Sequence, residues 1–335
     1  MRFSCPSCHS NFKYNKDLSM KKLCSLFLIG ILLLTACQKP QAQTSVYYDL
    51  FDTYCRFTAY GLSTAEFETV SEKLHAFLLQ FHQETDIYHP YDHITNLYSI
   101  NHAAGEKKLT VSDQLMAFLY FCQDAYTVSQ QRVNVMLGAV TALWHLGREQ
   151  NTVPDLSSLT NAKQHTQITS LQLDADESTV YISDPLASLD VGALAKGYAG
   201  RLAVAFLKQL GVENFLLDLG GNLCAYGAPS GRDQFTIGLQ DPSGEEGTYA
   251  CTKQLQNQCA VTSGDYQRFY EVEGIKYHHI IDPDTLFPSV YHHSVTVIHE
   301  DSAMADLLST ALFLLPEEEG TALAESYDAV VIYLD

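Results

Sequence analysis

The chain has 335 residues, 46% of them hydrophobic, and a formal net charge of −19. That length allows one large domain or two small ones, with ample apolar material for a core. The acidic balance argues against nucleic acid or an anionic membrane surface as a partner of the folded body, and an anionic ligand would need a metal ion or local cations at its site.

Residues 1–36 carry five Lys/Arg against one Asp, so the remainder holds −23. Cys5-Pro6-Ser7-Cys8 has the spacing of half a zinc site, but no second pair answers it. Met20-Lys21-Lys22 and the apolar run to Leu34 have the charged and hydrophobic regions of a secretory signal. Met20 is therefore read as the true start and residues 1–19 as an extension. The run closes on Leu34-Thr35-Ala36-Cys37, which resembles a bacterial lipobox. Residues 20–36 are then a lipoprotein signal peptide, Cys37 is the lipidation site, and residues 37–45 are a polar tether. The apolar run is short for a bilayer span. The expected location is extracytoplasmic, lipid-anchored to the bacterial cell membrane. An ordinary secretion signal or an uncleaved anchor is the alternative, and either leaves the body outside the cytoplasm.

In chain order, residues 47–60 read as one aromatic- and Thr-rich strand. Residues 64–83 read as a helix with Phe67, Val70, Leu74, Phe77, Leu78 and Phe81 on its apolar side. A polar loop spans 86–101, and a helix capped by Ser112 runs to 128. Residues 131–148 are less regular and carry the single Trp, Trp144; 151–167 read as a surface excursion and 171–183 as a hairpin. A central unit follows over 189–222. Asp190 opens a glycine turn, and Ala195, Ala199, Leu202, Phe206 and Leu210 make a helical stripe. Gly211 ends that helix, and a strand over 214–219 runs into Gly220-Gly221-Asn222. Strands are expected over 234–240, 259–263 and 293–299, with a hairpin turning at Glu273-Gly274. A helix over 303–315, capped by Ser302 and stopped by Pro316, precedes a last strand over 330–334. Strands grouped with long helices point to an α+β fold, mixed sheets with packed helices. The five cysteines after Cys37 are odd in number and scattered, so no disulfide framework is expected, and a Cys251–Cys259 bridge stays undecided.

Three clusters could carry chemistry. Lys196 lies in the first turn of the central helix, where the dipole disfavours a cation unless an anion binds beside it; the spacing is not that of a P-loop. Asp306 and Thr310 are four apart and share a helix face. Carboxylate and hydroxyl oxygens suit a hard cation such as Mg²⁺, although a dipole-favoured Asp and a back-bonded Thr would give the same pair. The remaining cluster is Val261-Thr-Ser-Gly-Asp-Tyr266 with Arg268, leading to Tyr277-His-His-Ile-Ile-Asp-Pro283. His278 and His279 alternate in a strand, so one of them faces any given site and can serve as a base, while the Asp-Pro-Asp run is equally good turn chemistry.

Together, Asp190-Val-Gly-Ala-Leu-Ala-Lys-Gly-Tyr-Ala199, Leu217-Asp-Leu-Gly-Gly-Asn222, Ser263-Gly-Asp-Tyr266, His279-Ile-Ile-Asp-Pro283 and Ala305-Asp-Leu-Leu-Ser-Thr-Ala311 resemble, in order, the signature blocks of the ApbE-type FAD:protein FMN transferases. The resemblance covers nearly all of 46–335, read as one transferase domain. It implies a T-fold-like α+β architecture with the FAD site in a cleft between two lobes. It also implies a Mg²⁺-dependent reaction in which FMN passes from FAD to a Thr or Ser hydroxyl of a secreted or membrane-attached acceptor protein, releasing AMP. By matching positions, Tyr88, Asn134, Asp190 and Lys196 would contact FAD. The Ala193 carbonyl, Asp306 and Thr310, with Ser309 nearby, would hold Mg²⁺. His279 would be the base, with Asp282 beside it. Asn134 stands where the family usually has an acid, in a segment that contacts flavin. A Mg²⁺-dependent FAD pyrophosphatase and a non-catalytic flavin-binding lipoprotein are the competing readings.

Overall fold

A computed structural model describes residues 42–245 and 247–334. The extension, the signal peptide, Cys37 and most of the tether lie outside the described residues. The first strand, β1 (Gln43–Leu50), starts three residues inside the stretch read as tether and pairs antiparallel with β2 (Thr53–Ala59). The single strand expected over 47–60 is thus a hairpin. Phe51 and Asp52 turn it with left-handed backbone, φ 53° and 50°. Neither is Gly, so the turn carried no sequence signal. It is held from outside: Phe51 N–H donates to His82 Nδ1 at 3.2 Å, and Arg268 Nη2 donates to the Asp52 carbonyl at 3.1 Å.

Helix α1 (Thr64–Thr85) opens with a Ser63–Glu66 capping box and buries Phe67, Leu74, Leu78 and Phe81. The polar loop after it contains a short helix, α2 (Leu97–His102), capped by Asn96. Helix α3 (Asp113–Val128) starts from Ser112 as expected. The irregular stretch resolves into a 3-10 turn, Val135–Leu137, and helix α4 (Gly138–Gln150); its two glycines dilute the helical signal. The surface excursion holds helix α5 (Leu156–Lys163), capped by Asp155. Strands β3 (Leu109–Thr110), β4 (Leu171–Asp174) and β5 (Thr179–Ile182) form a small sheet in the order β3-β5-β4.

The main sheet has seven strands in the order β1-β2-β6-β7-β10-β13-β14, where β6 is Phe215–Leu219, β7 Asn222–Tyr226, β10 Gln258–Gly264, β13 Ser294–His299 and β14 Val330–Leu334. Each neighbouring pair in it is antiparallel. Strands β8 (Phe235–Gln240) and β9 (Tyr249–Leu255) pair separately. They cover one sheet face with Phe235, Ile237, Leu239 and Leu255 over Ala225, Ala260 and Ile298. Strands β11 (Phe269–Val272) and β12 (Ile275–His278) form the expected hairpin, turning through Glu273 and Gly274 at φ 51° and 80°. β7 and β9 had no counterpart in the sequence reading. The former follows directly on a glycine turn, and the latter is largely exposed.

Helices pack on the opposite face. Helix α6 (Ala195–Gln209) buries Ala195, Ala199, Ala203 and Leu207, whereas Leu202, Phe206 and Leu210 are only half-buried. The expected stripe packs on the core, Phe206 stacking on Phe77 at 4.4 Å between ring centroids, and a second face of small residues meets the next helix. Helix α7 (Ser302–Phe313) is buried at every residue but Met304, as a helix apolar all round should be. Its N-cap is Asp301, whose Oδ1 accepts the Ala303 N–H at 3.0 Å, and Ser302 is its first residue, not its cap. Helix α8 (Glu317–Glu325) follows Pro316. A further cluster of Leu137, Val140, Trp144, Leu159, Ile281 and Leu286 joins α4 and α5 to the chain after β12, where Trp144 Nε1–H donates to the Leu286 carbonyl at 2.9 Å. All five described cysteines are free. The Cys251–Cys259 bridge does not form: Cys259 lies opposite Cys224 across β10 and β7 instead. Among the described residues no helix is long and apolar enough to cross a membrane.

Candidate active site

The site is built on the seam between α6 and α7. A Cβ on Gly197 would lie 2.2 Å from Asp306 Cβ, and one on Gly200 would lie 2.4 Å from Ser302 Oγ. Only glycine permits that approach. The two rungs pair an earlier residue of α6 with a later one of α7, so the helices run antiparallel. Ala193 lies in the turn that enters α6, and Thr310 lies one turn beyond Asp306 on α7. Arg201 clamps the other end, its Nε and Nη2 donating to the two oxygens of Asp301 at 2.8 and 2.6 Å.

Asp306 is 4% exposed. Its Oδ2 accepts the Gly197 N–H at 2.6 Å. In a regular helix that N–H would serve the carbonyl four residues back, at Ala193. Burial raises the Asp306 pKa above the ordinary carboxylate value, while Lys196, the Gly197 N–H and the Asn222 carboxamide oppose the shift. A carboxylate so placed is short of positive charge. Beside it, Ser309 Oγ donates to the Asp306 carbonyl at 3.0 Å. Ser263 Oγ lies 2.9 Å from Ser309 Oγ and 3.4 Å from Thr310 Oγ1. Since the Ser309 proton goes to a carbonyl, Ser263 donates to Ser309. Ser309 is fully buried and its hydrogen bonds are filled from within the protein, whereas Thr310 makes only the long contact to Ser263. Among the described residues no group of three or more His, Cys, Asp or Glu gathers, so the oxygen set here centres on one carboxylate.

The adjacent histidines of the β12 end divide their labour. His278 is buried; its Nε2–H donates to the Ser289 carbonyl at 2.8 Å and its Nδ1 accepts the Ile280 N–H at 3.2 Å. Burial lowers its pKa, so it is a neutral structural imidazole. His279 is the outward one. Its Nδ1 faces the Arg268 carbonyl at 3.2 Å. A carbonyl can only accept, so Nδ1 carries the proton and Nε2 is a free base. Desolvation is the largest cause pushing its pKa down to about 4, reinforced by His278, Arg268 and Lys196. The ring keeps an edge open to solvent, which moderates the desolvation part and leaves the direction intact. Lys196 acts electrostatically on both His279 and Asp306, which places the three in one neighbourhood.

The other residues singled out from the sequence lie as follows. Asp190 Oδ1 accepts the Gly192 N–H at 3.0 Å and Oδ2 the Thr141 hydroxyl at 2.7 Å, fixing the turn into α6. Tyr88 is half-exposed, lies 3.3 Å from His145 Nδ1, and has its pKa pushed up to about 12 by desolvation and then by the charge of Asp190. Asn134 caps the 3-10 turn, Oδ1 accepting from Met136 N–H at 3.0 Å and Nδ2 donating to the Thr166 carbonyl at 2.8 Å. Both ends of its carboxamide thus engage backbone. Asp282 accepts the Asp284 N–H at 2.8 Å and lies 3.9 Å from Arg132 Nη1. Among the described residues it makes no hydrogen bond to His279, and its Oδ1 serves the turn. A recess of about 440 Å³ between β1 and α1, lined by Tyr47, Asp49, Ser71 and His75, shares no residue with this site.

The ApbE family pattern matches residues 51–334. The chain belongs to the ApbE family. Relatives within it include the FAD:protein FMN transferase of Treponema pallidum, 31% identical over 341 residues and covering 94% of this chain and 93% of its own. That of Klebsiella pneumoniae is 33% identical over 242 residues, covering 71% and 75%. Among solved structures, the ApbE protein of Thermotoga maritima superposes with a TM-score of 0.78 at 24% identity, covering 88% of this chain and 94% of that one. The flavinyl transferase ApbE of Pseudomonas stutzeri gives 0.73 at 25% identity, covering 88% and 90%. The α+β class is thus the ApbE fold. Gly197 and Asn222 were not named as functional from the sequence, and Ser263 entered only as a member of the 261–266 cluster, without a role. Each sat inside a quoted signature block, but what marks them is their approach to α7, 46 or more residues away along the chain, which no local pattern reveals.

Proposed function

We propose that this protein transfers FMN from FAD to a Thr or Ser hydroxyl of an acceptor protein in a Mg²⁺-dependent reaction, releasing AMP. The observation that carries the proposal is the buried Asp306 carboxylate docked on the first turn of α6, with the Thr310 hydroxyl one turn on along α7 and 3.4 Å from Ser263; the Ala193 carbonyl, in the turn before α6, is the third donor that the family resemblance implies. These are hard oxygen donors around one negative charge, and they fit a Mg²⁺ ion, which takes few protein ligands and completes its shell with phosphate oxygens and water. When bound, the ion would supply charge neutralisation for the pyrophosphate.

The protein's own part is positioning and proton handling, as phosphoryl transfer requires. Lys196 places a cation at a helix start, where free N–H groups also favour phosphate. His279 Nε2 takes the acceptor hydroxyl proton. The hydroxyl oxygen then bonds to the FMN-side phosphorus, and the bridging P–O bond breaks with its electron pair leaving on AMP. Neutral His279 is competent for this because its lowered pKa keeps Nε2 unprotonated at ordinary pH. Tyr88, open on one side, is suited to the flavin side, and Asp190 holds the entry turn by which FAD would lie in a cleft. The family match and the relatives named FAD:protein FMN transferase support the reading.

The lipobox-like Cys37, the signal-like residues 20–36 and the tether support an extracytoplasmic, lipid-anchored protein, with a secreted or membrane-attached acceptor. Because the His279 edge is open to solvent, water could replace the hydroxyl, which keeps FAD pyrophosphatase as the second reading. Incubation with FAD, Mg²⁺ and an acceptor domain, followed by in-gel flavin fluorescence, separates them. A fluorescent acceptor band is expected; free FMN without one would select hydrolysis, and no AMP at all would leave flavin binding alone.

A further inference from the structure

The Gly220-Gly221-Asn222 block between β6 and β7 has no part in the chemistry above. Asn222 is 2% exposed, and its Nδ2 is buried without a hydrogen-bond partner. Such donors are rare in native proteins and need an explanation. Its direction is fixed by the sheet. Asn222 and Cys224 share a face of β7, and Cys224 Sγ lies 3.2 Å from where a Gly200 Cβ would stand, so that face meets the α6–α7 seam. Opposite Asn222 on β10 is Val261, two residues before Ser263, which touches Ser309 and Thr310. The turn that delivers Asn222 is itself constrained. Asp218 Oδ1 accepts the Gly221 N–H at 3.0 Å, and Gly220 and Gly221 take φ 63° and 92°. Cys224 sits at the Gly200–Ser302 rung and Ser263 at Ser309 and Thr310, so Asn222, between them along the sheet, faces the part of α7 that carries Asp306, with its Nδ2 unpartnered.

We infer that Asn222 is a positioning residue for Asp306: its carboxamide donates to the carboxylate, opposite the Gly197 N–H, and holds it aimed at the cation site. This rests on the reading of Asp306 as a metal-holding carboxylate. The Gly197 N–H already holds one carboxylate oxygen, and the buried Nδ2 gains its partner as the carboxylate settles on a cation, which then fixes the carboxylate from both sides. Asn222 touches neither substrate nor reacting atoms.

The test is Mn²⁺ binding to the full chain without FAD, read from the EPR signal of the free ion, for wild type, Asn222→Ala, Asn222→Leu and Asp306→Ala. Loss of a group that orients a metal ligand weakens affinity by about 10–100-fold. Both Asn222 variants are expected in that range with a native near-UV circular dichroism spectrum. If the leucine variant fails to fold, the alanine variant decides. Wild-type Mn²⁺ affinity in folded Asn222→Ala, alongside lost binding in Asp306→Ala, would overturn the role of Asn222 alone. Wild-type affinity in Asp306→Ala would overturn the metal assignment and this inference with it.

Discussion

Gly197→Ala is the sharpest perturbation of the seam. The added Cβ would stand 2.2 Å from Asp306 Cβ, 2.7 Å from the Ser302 carbonyl oxygen and 2.8 Å from Asp306 Oδ2. Two of those atoms cannot rotate away, so α7 must move as a body. Helix propensity alone would favour the substitution by about 0.5–1 kcal/mol. Overpacking of a filled interior costs about 1–3 kcal/mol, and here the overlap lies at its severe end. The net is a loss of about 2 kcal/mol and a drop of several degrees in the thermal midpoint. Gly211→Ala is the control. It has φ 79° and nothing within 4 Å of its added Cβ, so it pays only left-handed strain, about 1 kcal/mol. Mn²⁺ affinity discriminates further, falling in Gly197→Ala, which displaces Asp306, and holding in Gly211→Ala. A Gly197→Ala protein as stable as wild type, with unchanged Mn²⁺ affinity, would refute the close-packed seam.

Asp306→Asn keeps the shape and an acceptor for the Gly197 N–H but removes the charge. Because the folded pKa of Asp306 lies above its unfolded value, the wild type loses stability as pH rises through the carboxylate range. The variant should therefore melt higher than wild type at neutral pH, the gap closing in acid, while Mn²⁺ binding and AMP release vanish; a lower midpoint at neutral pH would contradict the desolvation argument. His279→Ala should slow acceptor labelling by about 100-fold or more. Since the wild-type pKa is lowered, labelling should stay flat through neutral pH and fall only on acidification below the ordinary imidazole range. An acid limb centred in the ordinary imidazole range would count against the assignment. A thiol reagent should label Cys251 in the native protein and reach Cys224 and Cys259 only after unfolding, by mass spectrometry of digests, because the latter two are buried.

Much of this was legible in the chain. The apolar spacing in α1, the Ser112 cap and the Glu273-Gly274 turn are local, and local physics specified them. The hairpin at Phe51-Asp52 was not, because its left-handed residues carry large side chains and are held by His82 and Arg268 from elsewhere. The stripe expected on helix α6 packs on the core, with Phe206 stacked on Phe77, but its second buried face, where Gly197 and Gly200 let α7 approach, was not legible because glycines carry no hydrophobic signal. At the site, Asp306 and Thr310 could be paired by spacing, and His279 separated from His278 only by the alternation of a strand. Asp282 and Ser309 were singled out from their blocks; in the fold Asp282 Oδ1 serves a turn, and Ser309 bonds the Asp306 carbonyl and Ser263. Asn222 shows the converse, a residue whose importance lies wholly in what the sheet aims it at.

The central claim is group transfer with coupled release of AMP, and the most direct measurement follows both products together. The protein is incubated with FAD, Mg²⁺ and an acceptor domain bearing a single candidate Thr; AMP is quantified by chromatography and the acceptor by intact mass. The account predicts one AMP for each acceptor molecule gaining the mass of FMN less water, with both products lost in Asp306→Ala. AMP without a mass gain on the acceptor, or a full mass gain in Asp306→Ala, would contradict it.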